Sequence, residues 1–142
     1  MKVLMVSGML PTDESPGTLA PVSRQIESLE PLVEEIGRYQ ITGLPALKYL
    51  LASDPISRES RNYNLVHAHY GLCGYSATLG KCRPVVLSLM GSDVLSPPQG
   101  SPYARILLAL EHVLARAAAS RADSVIVKSN EMADALSPIV SH

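Results

Sequence analysis

Two histidines, His67 and His69, stand two positions apart in a short apolar run that leads into Tyr70 and Gly71. A second apolar run over residues 84–89 leads into Met90, Gly91, Ser92 and Asp93. On a strand, residues two apart share a face, so both imidazoles point the same way; with Asp93 or Cys73 they could hold a metal ion. The plainer reading keeps His67 hydrogen-bonded inside a sheet and brings only His69 to its edge. Asp93 has two readings as well: an acceptor for substrate hydroxyls, or a cap on the backbone of its own turn. Glycines at such ends let backbone N–H groups approach a ligand, and helix starts carry partial positive charge suited to phosphates or sugar hydroxyls. Their blander use is to make tight strand-to-helix turns.

The elements that must position these residues can be read from the apolar pattern. Short Val/Leu runs bounded by Gly and Pro fit strands buried on both faces, as in a parallel sheet. In open parallel α/β sheets, ligands sit beyond the carboxyl ends of the strands. Segments 8–17, 43–45, 69–74, 91–96 and 129–130 should therefore converge on one edge. This makes Gly17, His69, Tyr70, Gly71, Gly91, Ser92 and Asp93 the candidate binding residues.

In chain order, a strand is expected over 2–7, followed by a turn-rich loop over 9–17. Thr18 would cap a helix whose Leu19, Val22, Ile26 and Leu29 recur at helical spacing, with Pro31 ending it near Glu30. Residues 31–62 are the least legible: a strand is expected over 39–42, flanked by Gly37 and Gly43, then a helix over 44–51. In that helix Leu47, Leu50 and Leu51 face inward, and Asp54-Pro55 interrupts the helical pattern. Strands over 64–69, 84–89 and 124–128 alternate with helices over 72–79, from Ser101-Pro102 onward, and over 131–136 behind Ser129. Ile106, Leu107, Leu110, Val113, Leu114 and Ala117 give the long helix a broad apolar stripe. The alternation implies an α/β domain: a doubly wound parallel sheet with right-handed crossovers and helices on both faces.

Composition removes several functions. The 142 residues suit one domain spanning 1–142, able to bury about two-thirds of its unfolded surface. Net charge is −1 with no run of Lys or Arg, and the aromatics are six Tyr with no Phe or Trp, so neither the electrostatic footprint nor the stacking platform of a nucleic-acid binder is present. Cys73 and Cys82 form no CxxC pair; thiols in a reducing cytoplasm are the simplest reading. The amino-terminal apolar stretch lacks a small-residue cleavage site, and Arg105, Glu111, His112 and Arg116 punctuate the longest apolar segment, so neither a signal peptide nor a membrane span is expected. No GxGxxG, GxxxxGK[ST] or GxSxG motif occurs, which argues against a dinucleotide site, a P-loop and a nucleophile elbow.

The run Asn64-Leu-Val-His-Ala-His-Tyr-Gly71, followed by Val85-Val-Leu-Ser-Leu-Met-Gly-Ser-Asp93, resembles the amino-terminal domain of family 4 glycosyltransferases. The opening over 2–8 with its Pro-rich loop, Arg24-Gln25 with Ser28-Leu29, and the close Arg121-Ala-Asp-Ser-Val-Ile-Val127 with Ser129 resemble it too. The resemblance implies half of a GT-B fold, two Rossmann-like domains facing across a cleft, in which the first holds the acceptor and the second the nucleotide-sugar donor. It implies retention of anomeric configuration without a metal, and no cofactor beyond the nucleotide sugar as substrate. Residues 9–17, His69 and residues 91–93 would line the acceptor side and touch the phosphate of the transferred sugar. Three departures stand out: the chain stops at His142 where a linker to a donor domain is expected, Met90 occupies a position where many members have His, and the second strand looks shortened. The implied partners are the missing donor-binding domain or a separate chain carrying it, and a sugar or lipid-linked sugar acceptor; the chain alone should not transfer sugar. A module that kept the fold and lost the chemistry is the competing expectation, and a metal-dependent hydrolase using His67 and His69 a third. Some relatives use lipid acceptors, which leaves membrane contact open, but Lys48, Arg58 and Arg61 are too sparse for a basic anchor.

Overall fold

The computed structural model describes residues 1–10, 20–45, 47–95 and 100–140. Among these residues five strands form one parallel sheet: β1 (Lys2–Ser7), β2 (Glu35–Gln40), β3 (Leu65–His69), β4 (Val85–Ser88) and β5 (Ser124–Ile126), in the order β2-β1-β3-β4-β5. The strand order reverses direction between β1 and β3, and ligand crevices of open α/β sheets form at such a switch. Among the described residues six α-helices connect or follow the strands: α1 (Ala20–Leu29), α2 (Leu47–Leu51), α3 (Ser53–Glu59), α4 (Gly71–Leu79), α5 (Pro102–Ala119) and α6 (Asn130–Leu136).

The two sheet faces are covered unequally. On one, Leu4, Val6, Val66, Ala68, Val85 and Leu87 pack with Ala52, Ile56, Cys73, Ala77, Ala118 and Met132 from the later helices. On the other, Val3 and Met5 form a smaller cluster with Val22 and Ile26 of α1. Helices thus lie on both faces, but the β4–β5 half of the second face is left thinly covered: Ile126 is 42% exposed and Val86 half-buried.

Capping behaves as the sequence implies at two helices. Ser101 accepts the Ala104 N–H at the start of α5 with Pro102 next to it, and Ser129 accepts the Met132 N–H at the start of α6. The Thr18 cap falls outside the described residues.

Several expectations are corrected. The second strand runs over Glu35–Gln40 rather than 39–42. It is an edge strand, so it does not need the apolar run of a central one: Lys2 pairs with Glu35 at 2.7 Å and Arg38 with Glu30 at 2.8 Å. Gly37 sits within the strand, not beside it, because the Tyr63 ring occupies the space a side chain would need. The helix does end at Leu51 as expected, but Asp54-Pro55 opens a new one: both lie in the first turn of α3, where proline is tolerated, and Asp54 pairs with Arg58 at 2.6 Å. Leu47, Leu50 and Leu51 do not face inward, being 46%, 51% and 63% exposed; Ala52 and Ile56 are the buried apolar side chains there. The apolar stripe of α5 is likewise mostly turned outward, since α5 approaches the core through Ala115, Ala118 and Ala119. The last strand ends at Ile126, two residues short of the expected span.

Candidate functional site

The carboxyl ends of β1, β3 and β4 open onto one cavity of about 290 Å³. Its lining comes from Ser7, Gly8 and Met9 after β1, His69 and Tyr70 after β3, Met90 and Ser92 after β4, with Val22 of α1 and Lys48 and Tyr49 of α2. The volume stands near the lower limit of small-molecule sites, roughly 300–1,000 Å³.

Local chemistry shapes each wall. Beyond β1 the chain turns immediately: the Ser7 hydroxyl donates to the Met9 carbonyl at 2.7 Å. After β3, Tyr70 adopts φ 84°, a left-handed conformation that costs a non-glycine residue on the order of 1–3 kcal/mol. The strain is held from two sides: its backbone N–H donates to the Ser88 carbonyl at 2.9 Å, and its hydroxyl donates to Glu111 on α5 at 3.0 Å. Burial, with Glu111 beside it, pushes the Tyr70 hydroxyl well above its ordinary pKa, so it stays a donor. Tyr49 is pushed up to about 12, chiefly by burial. Among the described residues, Lys48 is the one lining side chain carrying formal charge at neutral pH, its ammonium 5.1 Å from the Tyr49 ring centre.

His67 and His69 stack, ring centres 4.5 Å apart at 24°. His67 Nε2 shares a 2.8 Å hydrogen bond with the Ser88 hydroxyl, within the sheet. His69 Nε2 is buried and has no hydrogen-bond partner among the described residues. Burial lowers His67 to about 4; burial, then His67, then Lys128 lower His69 to about 3. Both rings are therefore neutral at physiological pH. Among the described residues no three His, Cys, Asp or Glu side chains gather as a metal-binding group, and both the Ser88 bond and the ring stacking employ the imidazoles otherwise.

Of the candidate residues, His69, Tyr70 and Ser92 line the cavity. Asp93 stands behind it, 1% exposed, its carboxylate accepting the N–H groups of Gly71 at 2.9 Å and of Met90 and Gly91 at 3.0 Å each. Of its two readings, the turn cap is the one whose geometry is present. Gly71 lies against Ala115 of α5, where a side chain would collide with backbone, and Gly91 turns at φ 105°. Gly17 lies outside the described residues. Segment 43–45 borders other cavities, and Ser129 is engaged as a cap. The cavity's unforeseen members are Ser7, Val22, Lys48 and Tyr49. The α2 pair was hidden because the expected helix turned its leucines inward, which would have sent Lys48 to open solvent.

Residues 43–129, more than half of the chain, match the family described as glycosyl transferase 4-like. The chain belongs to that family. The matched span carries β3, β4 and β5 and the turns that follow β3 and β4, thus the His69–Tyr70 and Met90–Ser92 walls of the cavity. No curated protein matches the chain. No helix among the described residues of this glycosyl transferase 4-like chain is long and apolar enough to cross a membrane.

Proposed function

We propose that the chain is the acceptor-side half of a retaining glycosyltransferase, which passes a sugar from a nucleotide-sugar donor to a sugar or lipid-linked acceptor without a metal. The observation that carries this reading is the joining of the β1, β3 and β4 ends in a single cavity of about 290 Å³, in a chain of this family. The cavity offers what a small polyol needs: the hydroxyl of Ser92, an ammonium from Lys48, and an apolar wall from Tyr49 and Val22. A donor-binding unit, in the same polypeptide or in a partner chain, supplies the nucleotide sugar.

The cavity binds rather than catalyses on its own. Among the described residues no carboxylate lines it, and His69, held near pKa 3, is too weak a base for proton abstraction near neutrality. Holding two reactants together contributes about 7–11 kcal/mol to bimolecular catalysis, and a lone acceptor half forgoes it. The purified chain, titrated with monosaccharides, should show amide shifts at Ser7, Tyr49, Tyr70 and Ser92 and no sugar transfer from a panel of nucleotide sugars. Addition of a donor-binding partner should restore transfer. Saccharides that leave those four amides unmoved would defeat the proposal.

One observation favours a second reading, a non-catalytic binding module. Met90 lines the cavity with a thioether that cannot donate a hydrogen bond to a sugar. If the chain purifies from its source without any donor-binding partner, and none restores transfer, this second reading stands.

A further inference from the structure

His69 is a shared wall. On one side lies the cavity already described; on the other, a groove of about 360 Å³ runs between α1 and the end of β5. The groove exists because α1 packs over the β1 side of that sheet face, leaving the β4–β5 half open. Its floor is His69, Ser88 and Ile126. Arg24, Gln25 and Ser28 of α1 border it, as does Lys128 beyond β5.

Two cations from separate elements therefore border one groove, and neither Arg24 nor Lys128 forms an ion pair among the described residues. The α1 carboxylate of Glu27 borders a different cavity, together with Arg38. Among the described residues no Asp or Glu lines the groove. Beneath the two cations sits the buried Nε2 of His69, with its hydrogen bond unmade. Uncompensated positive charge with no carboxylate facing it calls for an anion, and guanidinium and ammonium groups bind phosphate oxygens strongly.

We infer that the groove bordered by Arg24, Gln25, Ser28 and Lys128 binds a phosphate monoester borne by the acceptor, whose sugar ring lies across His69 in the adjoining cavity. The inference rests on the acceptor role proposed above and names its substrate class: a phosphorylated sugar or a phosphate-linked lipid rather than a neutral glycan. Arg24 and Lys128 grip the phosphate, and the Gln25 side chain supplies a neutral donor from the same helix as Arg24.

Calorimetric titration of the full chain with glucose, glucose 6-phosphate and inorganic phosphate tests this, with phosphatidylcholine vesicles sedimented with and without phosphatidic acid. Glucose 6-phosphate should bind at least tenfold more tightly than glucose. Arg24→Gln and Lys128→Gln should each remove about tenfold of that preference without changing glucose binding; Arg24→Lys and Lys128→Arg should retain most of it. Arg121→Gln, at the opposite end of β5, should leave every affinity unchanged. Equal affinity for glucose and its phosphate overturns the inference, as does a preference that survives both Gln variants or falls equally with Arg121→Gln. Sedimentation that needs phosphatidic acid, Arg24 and Lys128 assigns a lipid headgroup; its absence alongside tight glucose 6-phosphate binding assigns a soluble phosphate. Phosphate that binds through Arg24 and Lys128 while glucose leaves Ser7 and Ser92 unmoved would retain the groove and reject the acceptor cavity. Glucose shifting those amides with no gain from phosphate would do the reverse.

Discussion

The carboxylate of Asp93 accepts the backbone N–H of Gly71 at 2.9 Å, tying the turn after β4 to the first residue of α4. The same side chain takes the N–H groups of Met90 and Gly91 at 3.0 Å each. One carboxylate thus sets the relative position of two of the three turns that wall the cavity.

Asp93→Ala should therefore cost about 3 kcal/mol, because it strands buried backbone donors that are each expensive to leave unpaired. Asp93→Asn keeps one carbonyl oxygen and should fall between alanine and the parent. Urea unfolding midpoints measure both. Asn and Ala variants as stable as the parent would show that water replaces the carboxylate and that the turns are held by something else.

Gly71 is the second half of that relationship. A side chain there would collide with Cα and Cβ of Ala115 on α5. Gly71→Ala should destabilise by about 1–3 kcal/mol through overpacking. Adding Ala115→Gly should recover part of the loss even though glycine in a helix by itself costs about 1 kcal/mol. A double-mutant cycle reads the coupling directly. Strict additivity would mean the two helices do not meet at this point.

The long helix shows where sequence reading reaches its limit. Strand positions were legible because Val, Leu and Ile runs ending in Gly or Ser have few other uses, and β1, β3 and β4 lie within a residue of their expected bounds. Facing was not legible. Ile106, Leu110 and Val113 are 67%, 49% and 61% exposed, while Ala118 is fully buried. Hydrophobicity alone ranks leucine above alanine, but the close approach of α4 and α5 admits only small side chains, as the Gly71–Ala115 contact shows. Edge strand β2 was displaced for a related reason: an edge strand tolerates exposed charged side chains in place of an apolar run, and Glu35 and Arg38 carry ion pairs there. Ile106→Ser should accordingly shift stability by no more than about 0.5 kcal/mol, whereas Ala118→Leu should cost about 1–3 kcal/mol. Thermal denaturation of the two variants compares them. A large loss for Ile106→Ser with tolerance of Ala118→Leu would reverse the assigned faces of α5.

The stacked histidines give the protein a pH dependence whose sign is fixed by burial. His67 titrates near 4 and His69 near 3 in the folded chain, held down chiefly by desolvation, against about 6.5 for an unfolded histidine. Below about pH 6.5 the unfolded chain therefore takes up protons that the folded chain refuses. Stability is complete above that pH and is lost as the pH falls toward 4, by up to about 1.4 kcal/mol per pH unit for each ring. Carboxylates titrate mainly below about pH 5, so the interval from 6.5 to 5 isolates the histidines. Substituting His67 or His69 by Gln should roughly halve the slope there, although His67→Gln also loses the 2.8 Å bond to Ser88 and starts from a lower stability. Urea midpoints taken across that interval supply the slope for all three proteins. A parent curve flat from 6.5 to 5 would mean that the rings accept protons without leaving the fold, and the neutral stacked pair would have to be abandoned.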